Sequence, residues 1–267
     1  MEATLESILI NTYNQDAALR AQAESALKQF QASSGALVAL LNFIGNASNH
    51  RELRQATGIV IKNSMRDYWN NKYNTTEEEK EMVKSRLIDI LLVEIDNSIR
   101  GILAESIRIV SETDFPDKWP ALIPTIIAHV QSHDVLKMYN SLLALRKVAK
   151  RYEYKSKGDR KPLNDIVEVS FPYLQTLMTQ VFQYNSIEAA QVMKMCLKIF
   201  WSATMYELPQ VAGVDVNFWF GMIAQILDKP LPEASEGLEP VGQPTDPEDR
   251  AAWPWWKVRL YIQYKFY

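Results

Sequence analysis

Few side chains in this sequence are of kinds that carry out reactions, and they are scattered. The three histidines are His50, His129 and His133. His129 and His133 lie four apart, the spacing of two metal ligands on one helix face. Val130, Gln131 and Ser132 stand between them, so H-E-x-x-H and its general base are missing. The single cysteine, Cys196, sits in an apolar run with Val192, Met193, Met195, Leu197 and Ile199. That setting suits a buried inert thiol, since a reactive thiolate needs an electropositive, partly exposed site. One cysteine excludes an internal disulfide and fits a reducing compartment. Neither G-x-x-x-x-G-K-[ST] nor G-x-G-x-x-G occurs, which removes the phosphate-cradling loops. With no nucleophile, base or metal set, the sequence does not read as an enzyme and implies no cofactor.

Binding chemistry is better represented. Arg51 to Trp69, RELRQATGIVIKNSMRDYW, reads as one helix with two faces. Leu53, Ala56, Thr57, Val60, Ile61 and Ser64 fall on one side at helical spacing. Arg51, Gln55, Gly58, Lys62, Arg66 and Trp69 fall on the other, a basic stripe ending in an aromatic. Spacing alone allows a solvated face or a docking face. A second basic stretch, Lys147 to Lys161, carries Tyr152 and Tyr154. Charge with interleaved aromatics could grip RNA through phosphate contact and stacking. The alternative is a solvated loop whose tyrosines anchor a helix end, which the net charge of -3 and pI of about 5.8 favour, since there is no global basic field.

The elements that must hold these residues are helices. Across 267 residues, 47% of them hydrophobic, the 9 glycines and 12 prolines cluster between apolar stretches. Helical spacing predicts segments around Met1–Tyr13, Leu19–Phe30, Leu37–Ile44, Arg51–Trp69, Met82–Leu91, Ile99–Val110, Leu122–Val130, Val135–Tyr152, Pro162–Phe182, Ala189–Leu208 and Phe218–Leu227. Asp16 is placed to cap the second, and Thr76 with Glu79 reads as a capping box. Pro116 closes one element, and Pro120 suits the first turn of the next. The methionines and aromatics of Phe171 to Met205 fall at helical spacing and read as core. From Pro230 to Asp249 the chain has six acids and no base. No run of eighteen apolar residues suggests a membrane span, and MEATLESILINTYN lacks the basic-then-apolar order of a secretory leader.

The reading is an all-α chain, an α-solenoid of about five to six HEAT-type helical hairpins repeating every 35 to 50 residues or so. Residues 1–228 would form the array, 229–251 an acidic proline-rich loop, and 252–267 the start of a further helix. In such an array one helix layer lines a concave surface, and Arg51–Trp69 is the second helix of the second pair.

Two segments carry a resemblance. LRQATGIVIKNSM, with Arg54, Ala56, Lys62 and Asn63, resembles the second-repeat helix of the importin-β superfamily. DFPDKWPALIP, Asp114 to Pro124, resembles the D-[FY]-P-x-x-W-P turn after that family's third repeat. KRYEYKSKGDRKPL, and the acidic segment followed by AAWPWWK, look like the importin-seven/eight branch. After PWWK the sequence departs from that branch: Val258 to Tyr267 reads VRLYIQYKFY, and a truncated product or gene model is the expectation there.

The resemblance implies a nuclear transport receptor fragment. It would bind the GTP form of Ran through its N-terminal HEAT repeats, with Lys62, Asn63, Arg66 and Trp69 as contacts. Asp114, Pro116, Trp119 and Pro120 would be structural, fixing the angle between repeats. Basic protein cargo and FG nucleoporins would be further partners, in a protein shuttling between nucleus and cytoplasm through the pore. No direct nucleic-acid partner is implied. The alternative is a generic HEAT or armadillo scaffold unrelated to transport.

Overall fold

Short polar breaks and side-chain caps divide the chain into helices. The computed structural model describes residues 2–70, 75–132, 134–206, 208–209 and 215–230. Eleven α-helices lie among the described residues: α1 (Glu2–Asn11), α2 (Ala17–Gln31), α3 (Ala36–Gly45), α4 (Arg51–Tyr68), α5 (Glu77–Val93), α6 (Asn97–Asp114), α7 (Leu122–Val130), α8 (Val135–Lys150), α9 (Lys161–Phe182), α10 (Ile187–Thr204) and α11 (Val216–Asp228). A short 3-10 turn, Lys157–Arg160, leads into α9. The described residues contain no strand. The periodic segments read from sequence each correspond to one helix.

The starts follow from local chemistry. The Asp16 carboxylate accepts from the Ala18 and Leu19 amides, and the Asp96 carboxylate from those of Ser98 and Ile99. Each satisfies donors that the first turn leaves orphaned. Thr76 Oγ1 accepts from the Glu79 amide at 3.2 Å, but the reciprocal half of the expected capping box differs. Glu79 Oε1 instead accepts from the Gly35 amide at 3.1 Å, tying α5 to the entrance of α3. Gly35 has φ of 79°, a conformation that costs a residue with a Cβ far more than glycine.

The chain forms two compact units. The first comprises Met1–Leu122 and Asp134–Val148. Within it α1 packs on α2, α3 on α4, and α5 on α6, each helix hairpinned with its successor. Leu9, Leu40, Leu41, Ile44, Ile61, Met65, Leu87, Leu103 and Val110 are fully or almost fully buried there. Each such side chain contributes about 1.5–3 kcal/mol of apolar transfer. Met82, whose helical spacing with Val83, Leu87 and Leu91 suggests a core position, is exposed, because it falls on the outward flank of α5 beside Glu78 and Glu81. The Asn140 amide nitrogen of α8 donates to the carbonyls of Leu91, Leu92 and Glu94, closing the C-terminal end of α5.

The second unit comprises Ile123–His133 and Ala149–Tyr267. In it α9 packs on α10 and on α11. Phe171, Phe200 and Trp219 form an aromatic centre, with Phe200 and Trp219 stacked at 4.7 Å between ring centroids. Cys196 is fully buried on α10, and burial pushes its thiol up to about 12. The basic stretch after α8 is clipped down here. Tyr152 and Glu153 are buried, Ser202 donates to Glu153 at 2.9 Å, and Arg160 donates to the Ala203 carbonyl at 2.7 Å. Tyr152 anchors as expected, whereas Tyr154 stands exposed. The acidic stretch 231–251 and the stretch 252–267, where a further helix was expected, lie outside the described residues.

Candidate docking surface

Helix α4 sits between α3 on one flank and α6 on the other, with α1 also against it. Ala56, Thr57, Gly58, Ile61, Ser64 and Met65 are buried by these neighbours. What remains outside is a ribbon of Glu52, Gln55, Ile59, Lys62, Asn63, Arg66 and Asp67, with Arg51 exposed at its start. Glu52, Ile59, Arg66 and Asp67 are exposed, and Gln55, Lys62 and Asn63 are half-buried.

This ribbon is rotated around the helix from the stripe read in the sequence. Gly58 and Trp69 are not on it. A Cβ at Gly58 would meet Ile44 Cδ1 at 3.0 Å and Ile102 Cγ2 at 3.1 Å, so glycine there lets α3 and α6 close in on α4. Trp69 is 2% exposed, and its indole N–H donates to Asp114 Oδ1 at 3.0 Å. Its placement as a partner contact is therefore corrected: a partner would have to pull it from the core. The cause is the neighbouring flank of α6, whose last residue supplies an acceptor that local periodicity does not reveal.

The basic residues of α4 divide into two groups. At the start of the helix, Arg51 pairs with Asp96 at 2.6 Å, and Arg54 pairs with Glu94 while donating to the Ile44 carbonyl at 2.8 Å. These two charges bind α4 to the α5–α6 connection. Lys62 and Arg66, further along, have no ion-pair partner among the described residues. On neighbouring α6 the arginine is committed: Arg108 pairs with Glu105 at 2.7 Å and with Glu112, and Lys147 of α8 also reaches Glu105 at 3.3 Å. Burial raises the Glu105 carboxyl, but the Arg108 and Lys147 cations more than offset this and hold it below the usual range.

The end of the ribbon is fixed by a buried polar cluster that sequence reading missed. Asp114 receives the Trp69 indole, the Thr113 hydroxyl at 2.9 Å and, on its second oxygen, the Lys84 ammonium at 2.9 Å. Lys84 also donates to the Lys118 carbonyl at 2.7 Å. Asp114, Lys84 and Trp119 are all buried, and a cis peptide precedes Pro116. Burial alone would raise Asp114, yet Lys84, Trp69 and Thr113 hold its carboxyl below the ordinary range. Burial works against the Lys84 charge too, but Glu81 and Asp114 outweigh it and raise its pKa. Asp114 and Trp119 are thus structural residues in this turn. Burial of Lys84 had no signal in helical spacing, because Asp114 and the Lys118 carbonyl, which receive its ammonium, lie beyond α5.

Of the histidine pair, His129 is on α7, and His133 lies outside the described residues. Among the described residues no group of three or more His, Cys, Asp or Glu could hold a metal ion. No helix among them is long and apolar enough to cross a membrane.

Residues 23–93, from within α2 to the end of α5, match the family model described as "Importin-beta N-terminal domain". Residues 23–93 are thus similar to an importin-beta N-terminal domain. The ribbon and most of its buried supports lie within that match. Over 91% of its length the chain is 30% identical to an importin beta-like SAD2 homolog of Arabidopsis thaliana, covering 23% of that protein. It is 28% identical to importin-8 of Homo sapiens, again over 91% of the chain and 24% of the relative. The chain thus spans about a quarter of the length of these curated relatives. Among solved structures, the exportin Cse1 in its cargo-free, cytoplasmic state superposes with a TM-score of 0.82 at 17% identity, over 98% of this chain and 28% of that one. That likeness gives the region matching the importin-beta N-terminal domain and the helices after it an all-α fold of HEAT-type hairpins.

Proposed function

We propose that this chain is part of a nuclear transport receptor and docks the GTP form of Ran through the exposed ribbon of α4. The observation that carries the reading is the pair Lys62 and Arg66, cations without an ion-pair partner among the described residues, on a helix inside the region that matches the importin-beta N-terminal domain. Asn63 beside them offers an amide to the same surface. The relatives' names support a transport role; basic protein cargo and FG nucleoporins are the further partners we propose, for a receptor that shuttles between nucleus and cytoplasm and meets the pore. An acidic protein surface meeting two unpaired cations gains on-rate and specificity, each exposed pair adding about 0–1 kcal/mol.

The test is a titration of the chain with Ran loaded with GTP, using GDP-loaded Ran as control. Binding of the GTP form is expected. Lys62→Glu with Arg66→Glu should weaken it by about tenfold or more, near 1.4 kcal/mol. Equal affinity for both nucleotide forms, or no change in the double variant, refutes the assignment. A scaffold unrelated to transport would bind neither form.

A further inference from the structure

We infer that Asn140 is a conformational latch: from α8 it closes the α5–α6 connection, and through that connection it holds the start of α4, whose far end is pinned separately. Helix α5 stops without the usual means of satisfying its last carbonyls. Its last turn has no basic side chain, and the three residues after it are Glu94, Ile95 and Asp96, none of them a glycine. Glu94, the C-cap, is extended, and α6 opens at Asn97. The missing donors come from Asn140, which is fully buried. Its Nδ2 donates to the carbonyls of Leu91 at 2.8 Å, Glu94 at 3.0 Å and Leu92 at 3.3 Å. Its Oδ1 accepts from Arg100 of α6 at 3.3 Å. An amide serves both neighbours at once, whereas a carboxylate of the same shape has no proton for the carbonyls.

The connection so fixed is what the start of α4 grips. Glu94 Oε1 accepts from the Asp96 amide at 2.8 Å, and its other oxygen pairs with Arg54. Asp96 in turn pairs with Arg51 at 2.6 Å and caps α6. Both cations at the start of α4 therefore end on residues 94–96, whose carbonyls on the α8 side are held by Asn140. The bonds span 40, 45 and 46 to 49 positions, so each ties one hairpin to the next. At the other end of α4, the Trp69 indole and Asp114 share no residue with this set. A buried carbonyl stripped of its donor is costly, so a connection released by Asn140 moves to reach water. Glu94 and Asp96 then carry the start of α4 with them. Arg54 keeps the Ile44 carbonyl, so that start loosens without detaching.

Amide hydrogen exchange of the full chain, resolved by peptide, compares wild type with Asn140→Ala and Glu94→Gln. Asn140→Ala should speed exchange by about tenfold or more over residues 91–100 and by about threefold or more over 52–58, leaving 63–69 unchanged. Glu94→Gln removes the counter-charge of Arg54 and leaves Asn140 its carbonyls. It should speed 52–58 and leave 138–144, around Asn140, as in wild type. Asp114→Asn, at the other end of α4, should do the reverse, speeding 63–69 and leaving 91–100. Exchange in Asn140→Ala that is unchanged over 91–100, or faster there but not over 52–58, overturns the latch. So does an even rise from 52 to 69, which would mean a general loss of packing. If Asn140→Ala does not fold, Glu94→Gln decides: an unchanged 52–58 overturns the proposal, and faster exchange there with 63–69 unchanged upholds it.

Discussion

Asp114 is the residue on which the far end of the docking helix depends. It is buried, yet its carboxylate carries three contacts from three places: Trp69 after α4, Lys84 on α5 and Thr113 on α6. Replacing it by asparagine leaves Lys84 without its buried counter-charge, although Glu81 and the Lys118 carbonyl remain. The expected loss is about 2–4 kcal/mol of unfolding free energy at pH 7. The pH dependence follows from the direction of the shift. A carboxyl held below its ordinary value stabilises the fold above its unfolded pKa and loses that contribution as pH falls through the folded one. Lys84, held above its ordinary value, contributes below that value and fades only as pH rises through the raised one. Urea unfolding of wild type and Asp114→Asn from pH 7 down to about 2 should therefore show a gap that narrows on the acid side. A gap constant with pH would mean that the asparagine acts through shape and not charge. Apart from Thr113, these contacts were not visible from Asp114's own neighbours in sequence, since Trp69 lies 45 positions away.

At the scale of the element, helices were legible and their orientation only in part. Gly35, Asp16, Thr76 and Asp96 mark starts because caps and left-handed turns are local chemistry. The buried side of α4 was also legible in Ala56, Thr57, Ile61 and Ser64. Its outer ribbon was misplaced at Gly58 and Trp69, and missed Ile59, because periodicity counts polarity and cannot see a third helix arriving on one flank. Gly58 has no side chain to declare a preference, and the sequence cannot tell a helix glycine facing water from one crossed by a neighbour. Its role predicts an outcome. Gly58→Val would push a branched side chain against Ile44 Cδ1 and Ile102 Cγ2, which stand 3.0 and 3.1 Å from a Cβ alone. Ile44 is fully buried and has nowhere to move. Overpacking should exceed the gain in helix propensity and cost about 1–3 kcal/mol. Chemical denaturation measures it, and a neutral or stabilised variant would show that α4 and α6 separate easily.

For the molecule as a whole, the supports of the ribbon fall within one unit. Helices α1, α3 and α6, which bury α4, and Asp114, which holds its end, all belong to Met1–Leu122. The last described helix ends at Asp228, and Lys229 closes it by donating its backbone N–H to the Gln225 carbonyl at 3.0 Å. We propose that residues 1–228 form an array that does not need the acidic, proline-rich stretch to present α4. A chain ending at Pro230 should then bind GTP-loaded Ran within about twofold of the full sequence, a free-energy difference under about 0.5 kcal/mol. Its binding should be slightly less salt-sensitive in the opposing sense. The six acids between Pro230 and Asp249 repel an acidic partner at long range, so removing them should raise the association rate at low salt and leave it unchanged at high salt. Stopped-flow association at the two salts separates the possibilities. A shortened chain with affinity reduced at both salts would mean that residues beyond 230 support or touch the docking surface directly, and the division of labour between the helices and the acidic stretch would fail.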